Sequence, residues 1–235
     1  MNHFEVHDWT TGLIAECDRA FPSRLHGVAH GARQVDAGGA WFGFVQEGTA
    51  HLYHNGRAYT LRAGDYFRTP GAFSIDAPAG RVLLLEREGV APPPFTLGND
   101  AGHWHAGRLK YIDGCTDTLL ISPWKKGEAC LNLLHFPPGI DQTMHTHPSD
   151  RIGVITSGRG RCVTPDGAFE LRPGMLWRIP ADGQHKFQTD ADSGMQVIAY
   201  HPDSDHGPSD EEHPMLNRTI VGGVSARFLD EIRTK

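Results

Sequence analysis

Hydrophobic and polar positions alternate in short bursts along most of this chain. From Ala40 onward the runs WFGFVQEG, TAHLYHNG and RAYTLRAGDYFRTPG each hold about a strand's length of alternating side chains between glycine, asparagine or proline turns. Asn55-Gly56 has the composition of a hairpin turn. The same texture returns in DTLLISPW, ACLNLLHF, RIGVITSG, GRCVTPDG, AFELRPG, MLWRIP and MQVIAYHP. Short strands at such close spacing predict an all-β barrel or sandwich. Between the two blocks, GVAPPPFTLGNDAGHWHAGR over 89–108 breaks the periodicity with prolines and glycines, and it predicts a crossing between domains. The boundary is placed near residue 100, giving one domain over 1–100 and a second over 101–235. GLIAECDRAF fits either a short helix or an edge strand. SARFLDEIRTK puts Phe228 and Ile232 at helical spacing behind Ser225 as a cap, predicting a short helix.

Sliding the chain against itself by 110 residues places Gly48, Ala58, Leu61, Arg62, Gly64, Arg68 and Pro70 on Gly158, Ala168, Leu171, Arg172, Gly174, Arg178 and Pro180. A match of that kind predicts one fold used twice.

The second copy carries the candidate chemistry. His145 and His147 are separated by one residue, so on an extended strand both project from one face. His185 follows just past the strand-like run Met175–Ile179 that Pro180 closes. Three neutral imidazoles on a rigid sheet are a suitable set for a divalent transition metal with positions left open. At the repeat offset His145, His147, Arg151 and His185 fall on Val35, Ala37, Trp41 and Ile75, none of which offers a donor. The first copy is therefore expected to hold no metal and to serve as a structural or dimer-forming lobe, or as a metal-free ligand pocket lined by Trp41.

The spacing of Gly139, His145, His147 and Gly158, followed by Gly174, Pro180 and His185, resembles the two motifs of the cupin superfamily. The resemblance implies two tandem cupin barrels, double-stranded β-helices of the jelly-roll type with minor helices. It further implies one divalent transition metal per chain in the second barrel, with iron expected and zinc, nickel or manganese as alternatives. Two positions depart from the family pattern. Arg151 stands where the family has a carboxylate ligand, and Asp182 where it has a glycine. The fourth ligand is then Asp150, if a bulge turns it inward, or water. Regular strand alternation from His145 would aim Arg151 at the metal, where it could anchor a substrate carboxylate; its alternative is a salt bridge to Asp150 or Asp182. Gln142, Gln184 and His135 are candidate supporting groups for the ligating imidazoles.

A formal charge of −6 without a basic cluster argues against nucleic acid or an anionic membrane as partner, and no apolar run approaches the roughly 18 residues of a membrane span. A small anionic substrate and a homodimer are expected. Cys17, Cys115, Cys130 and Cys162 are scattered, and MNHFEVHDW has neither the basic start nor the apolar core of a secretory leader, so the cytoplasm is the expected location. His103-Trp104-His105 lacks a downstream partner and is read as structural, and His201–Thr219 as a solvated or lid-like loop. The functional expectation is an iron-dependent dioxygenase acting on a small carboxylate or phenolic metabolite. The alternatives are a non-redox cupin (isomerase, lyase or hydrazine-forming synthetase-like) and a binding or sensing protein without catalysis.

Overall fold

The computed structural model describes residues 2–18, 20–36, 38–90, 94–99, 106–123, 125–204, 209, 211, 213 and 215–235. Among them the regular structure is β-strand, apart from two 3-10 turns, Leu216–Arg218 and Ala226–Phe228. The chain has the antiparallel all-β jelly-roll architecture. It divides into two compact units, His7–His103 and Met1–Val6 with Trp104–Lys235. The first residues thus lie on the other side of the division from where a cut at residue 100 put them. The reason is local: Phe4 is buried in one apolar cluster with Trp177, Phe187 and Met215, and Glu5 accepts an ion pair from Arg178 at 3.1 Å.

In the first unit Ala40–Glu47 lies between Asp65–Thr69 and Phe73–Arg87, and Thr49–His54 forms a hairpin with Arg57–Arg62. In the second unit Arg151–Gly158 lies between Leu176–Ile179 and Met195–His201, and Gly160–Thr164 forms a hairpin with Gly167–Leu171. The pairing pattern recurs at the 110-residue offset. One strand, Phe73–Arg87, serves both faces of the first unit; its counterpart is split into Lys186–Gln188 and Met195–His201. The repeated glycines Gly48 and Gly158 sit at the same corner with φ of +71° and +72°. A Cβ there would stand 2.2 Å from the Ala79 carbonyl oxygen and 1.9 Å from that of Gly194, so both backbone conformation and space require glycine.

Within the second unit the large sheet runs Leu176–Ile179, Arg151–Gly158, Met195–His201, Cys130–Phe136, Thr116–Ile121, Leu109–Lys110. Alternation sends Trp177, Ile179, Arg151, Ala199, His201, Leu134 and Phe136 to one face, and these line the cavity described below.

Of the two forms open to it, Gly12–Cys17 takes that of a strand at the edge of the first unit's sheet. The helix expected after Ser225 is a single 3-10 turn; Ser225 does cap it, accepting from the Arg227 N–H, but Phe228 stands 73% exposed. Of the described residues in the stretch from His201, read as a solvated or lid-like loop, His201, Asp203, Ser204, His213, Met215, Leu216 and Thr219 are buried and Glu211 is exposed, while 205–208, 210, 212 and 214 lie outside the described residues. His213 accepts the Met215 and Leu216 N–H groups on its Nδ1 and stacks on Tyr111, which ties this stretch to the core.

Candidate metal centre

His145 and His185 face each other across an antiparallel bridge, each donating its N–H to the other's carbonyl at 3.0 Å. The next residue, Thr146, is bridged to Ile220. The unbroken strand expected from His145 to Arg151 does not form: the chain bends at Pro148–Ser149, and the regular strand begins at Arg151. His147 nevertheless stays with its neighbours. Ring centroids lie 5.0 Å apart for His145 and His147, 4.4 Å for His145 and His185, and 5.2 Å for His147 and His185, and one nitrogen of each of these three buried residues lies within 4.8 Å of the others.

Each ring has one nitrogen already committed. Nδ1 of His145 meets the Thr143 carbonyl at 2.7 Å, Nδ1 of His147 the Arg218 carbonyl at 2.8 Å, and Nδ1 of His185 the Gly183 carbonyl at 3.0 Å. A carbonyl only accepts, so Nδ1 carries the proton and each Nε2 presents a lone pair. Burial, first among the causes, lowers His145 to about 4 and holds His147 and His185 well below the usual imidazole range. These are the protonation state and outer-nitrogen support a ligating histidine needs. The residues present therefore fit a divalent transition metal held by His145, His147 and His185.

Asp150 does not compete for that position. Its carboxylate accepts from Arg178 Nε at 2.6 Å and from the Ala181 N–H at 2.8 Å. Asp182 occupies the left-handed region at φ +60°, which explains how it can stand where a glycine is usual, and its N–H holds the His147 carbonyl at 2.8 Å.

The imidazoles open on a cavity lined also by Tyr111, Leu134, Phe136, Gln142, Arg151 and His201. It holds about 290 Å³ of free space, its open mouth included. Arg151 is 2% exposed. Its Nη1 donates to Ser149 O at 3.1 Å, Ser149 Oγ at 2.8 Å and Asp150 O at 3.0 Å, whereas Nε and Nη2 have no partner among the described residues. Arg151 thus meets Asp150 through the backbone carbonyl, while the Asp150 carboxylate pairs with Arg178. Burial lowers the guanidinium to about 10, which leaves it a cation at neutral pH.

Of the candidate supporting groups, Gln142 lines the cavity, accepting the Phe187 N–H at 3.2 Å and donating to Cys115 Sγ. His135 alternates to the other face of its strand from Leu134 and Phe136 and meets Gln196; Gln184 is exposed. His201, placed by the sequence where the MQVIAYHP strand meets the following loop, belongs to the strand, whose alternation puts it on the face of Val197 and Ala199. In the first unit Val35, Trp41 and Ile75 belong to the apolar core, and Ala37, like His103 and His105, lies outside the described residues.

Residues 132–201, which contain His145, His147, Arg151, His185 and His201, match the family model described as a cupin domain. No curated protein matches the sequence. Among solved structures, the chain is similar to a cupin 2 conserved barrel domain protein from Leptotrichia buccalis, at 16% identity and TM-score 0.61, covering 85% of this chain and 90% of that one. It is also similar to a salicylate 1,2-dioxygenase from Pseudaminobacter salicylatoxidans (12% identity, TM-score 0.56, 77% and 70% covered) and to oxalate decarboxylase from Bacillus subtilis (14%, 0.52, 88% and 77%). At such identities the likeness is one of fold. Residues 132–201 thus belong to a cupin domain, and the chain around them shares the fold of these structures.

Proposed function

We propose that this chain is a metal-dependent enzyme acting on a small anionic metabolite, with oxygen-dependent cleavage or oxidation on iron as its reaction. The observation that carries the reading is the pairing, in one cavity, of three Nδ1-anchored histidines with a buried arginine whose Nε–Nη2 edge is unclaimed among the described residues. A neutral three-nitrogen donor set leaves a divalent metal its full charge and several open positions, so the bound metal would supply Lewis acidity and, if iron, redox chemistry. Arg151 then binds the substrate anion. Its Nη1 is fixed by Ser149 and Asp150, which orients the opposite edge to meet a carboxylate through two parallel bonds. Leu134, Phe136, Ile179 and Phe187 exclude bulk water and strengthen that contact.

The first unit, in this reading, is a second cupin barrel filled by packing rather than by metal. Non-redox chemistry on zinc, nickel or manganese is the second reading, favoured by the same donor set, because three histidines serve catalytic zinc equally well. Elemental analysis of the purified protein, combined with oxygen uptake in the presence of small carboxylates, separates the two. About one iron per chain with carboxylate-dependent uptake is expected. Zinc without uptake overturns the dioxygenase reading in favour of the second, and absence of any bound metal overturns both.

A further inference from the structure

His201 is fully buried, lines the cavity, and has no hydrogen-bond partner on either ring nitrogen among the described residues. Leaving a buried polar group unsatisfied costs on the order of 1–3 kcal/mol, so the position calls for a ligand group or water. Its neighbour is identifiable from the sheet. Ile152 pairs with Tyr200, and one further step along that antiparallel register sets Arg151 beside His201 on the face that lines the cavity. The closeness is also felt electrostatically, since Arg151 follows burial among the causes that hold His201 well below the usual imidazole range. Cross-strand neighbours have Cβ atoms about 5 Å apart, so a ligand anchored by Arg151 has its next one or two carbons within reach of His201.

We infer that Arg151 and His201 form one two-point site for a small 2- or 3-hydroxycarboxylate, Arg151 taking the carboxylate and His201 reading the hydroxyl. The inference rests on the anion-binding reading above and narrows its substrate class. A neutral imidazole has one N–H and one bare nitrogen. A hydroxyl can meet either, as acceptor from the first or donor to the second, whereas an oxo group can meet the N–H alone. The neighbouring walls, Ala199 and Ile179, offer nothing polar to replace it.

Lactate and propionate differ by the single hydroxyl and serve as probes, titrated calorimetrically into the zinc-loaded protein. Wild type is expected to bind lactate at least tenfold tighter than propionate. His201→Leu should cut that ratio at least fivefold while leaving propionate affinity within twofold and metal content unchanged; His201→Asn, which keeps a donor and an acceptor, should retain most of the ratio. Arg151→Gln should weaken both ligands. An unchanged ratio in a metal-loaded His201→Leu means the metal alone reads the hydroxyl, and overturns the inference while the anion site stands. Failure of wild type to bind either carboxylate overturns the anion site as well. Should His201→Leu not fold, ¹⁵N-histidine spectra of the wild type decide. A His201 ring resonance, assigned by its loss in His201→Asn, that shifts with lactate and not with propionate supports the two-point site, and one indifferent to both overturns it.

Discussion

His145, His147 and His185 owe their ligand character to backbone carbonyls, two of them close by in sequence, Thr143 and Gly183, and the third, Arg218, 71 residues beyond His147. His185→Ala should strip most of the metal and leave a folded protein, because the apolar cluster beneath it does not depend on the imidazole; metal analysis alongside circular dichroism checks this. Arg151→Gln should keep the metal, since a guanidinium is no ligand, and weaken binding of an anionic substrate by about 2–4 kcal/mol, the usual loss on truncating one side of a desolvated charge pair. Asp117 gives a prediction about pH. Burial, its main cause, raises the carboxyl to about 8, with Asn132 donating to it at 2.8 Å. The native state therefore keeps a proton that the unfolded chain releases near pH 4. Between about pH 4 and 8 the native state binds more protons, so this stabilisation is full below that window and lost as pH rises through it. Relative to wild type, Asp117→Asn should gain about 2–4 kcal/mol in urea unfolding between pH 5 and pH 8.5.

Three backbone positions control how the strands carry these side chains. The bend at Pro148–Ser149 interrupts the strand expected to link His147 to Arg151, yet both end in the same cavity because the bridge to His185 and the pairing of Arg151 with Ile179 fix each end separately. Asp182 sits at φ +60° within the loop that supports His147. Asp182→Gly should leave stability within about 1 kcal/mol, whereas Asp182→Val, β-branched in a left-handed conformation, should cost about 1–3 kcal/mol and lower metal occupancy, as measured by unfolding and metal analysis. Gly153 lies between Arg151 and Ile155 on the central strand, where an added Cβ would fall 1.7 Å from the Ile198 carbonyl oxygen. Backbone must move to admit it. Gly153→Ala should cost about 3 kcal/mol or more and disturb the register that sets Arg151 beside His201.

The two compact units share a strand plan and differ in what fills them. Val35, Trp41 and Ile75 close the first with apolar packing, while the second leaves a cavity edged by histidine and arginine. A metal that binds the native second unit alone stabilises that unit by mass action, about 2.7 kcal/mol at a hundredfold excess over the dissociation constant. In calorimetry, chelation should therefore lower the melting of one transition and leave that of His7–His103 where it was; equal shifts in all transitions would contradict a metal confined to the second unit.

Much of this was legible in the amino-acid order. Period-two alternation and turn residues foretell the strands, because side-chain direction and backbone conformation are local properties; the 110-residue repeat foretells two copies, because the glycines at Gly48 and Gly158 answer a steric demand that recurs with the fold. The histidine spacing is likewise local enough to read. What needed the tertiary structure is every relation between distant segments. Asp150 is held by Arg178, the Arg218 carbonyl comes to His147 from far along the chain, and the Ile152–Tyr200 pair sets Arg151 and His201, fifty residues apart in sequence, on neighbouring strands. Burial and partnership of a polar side chain are set by what packs against it, and that is a property of the folded sheet rather than of the residue's neighbours in the chain.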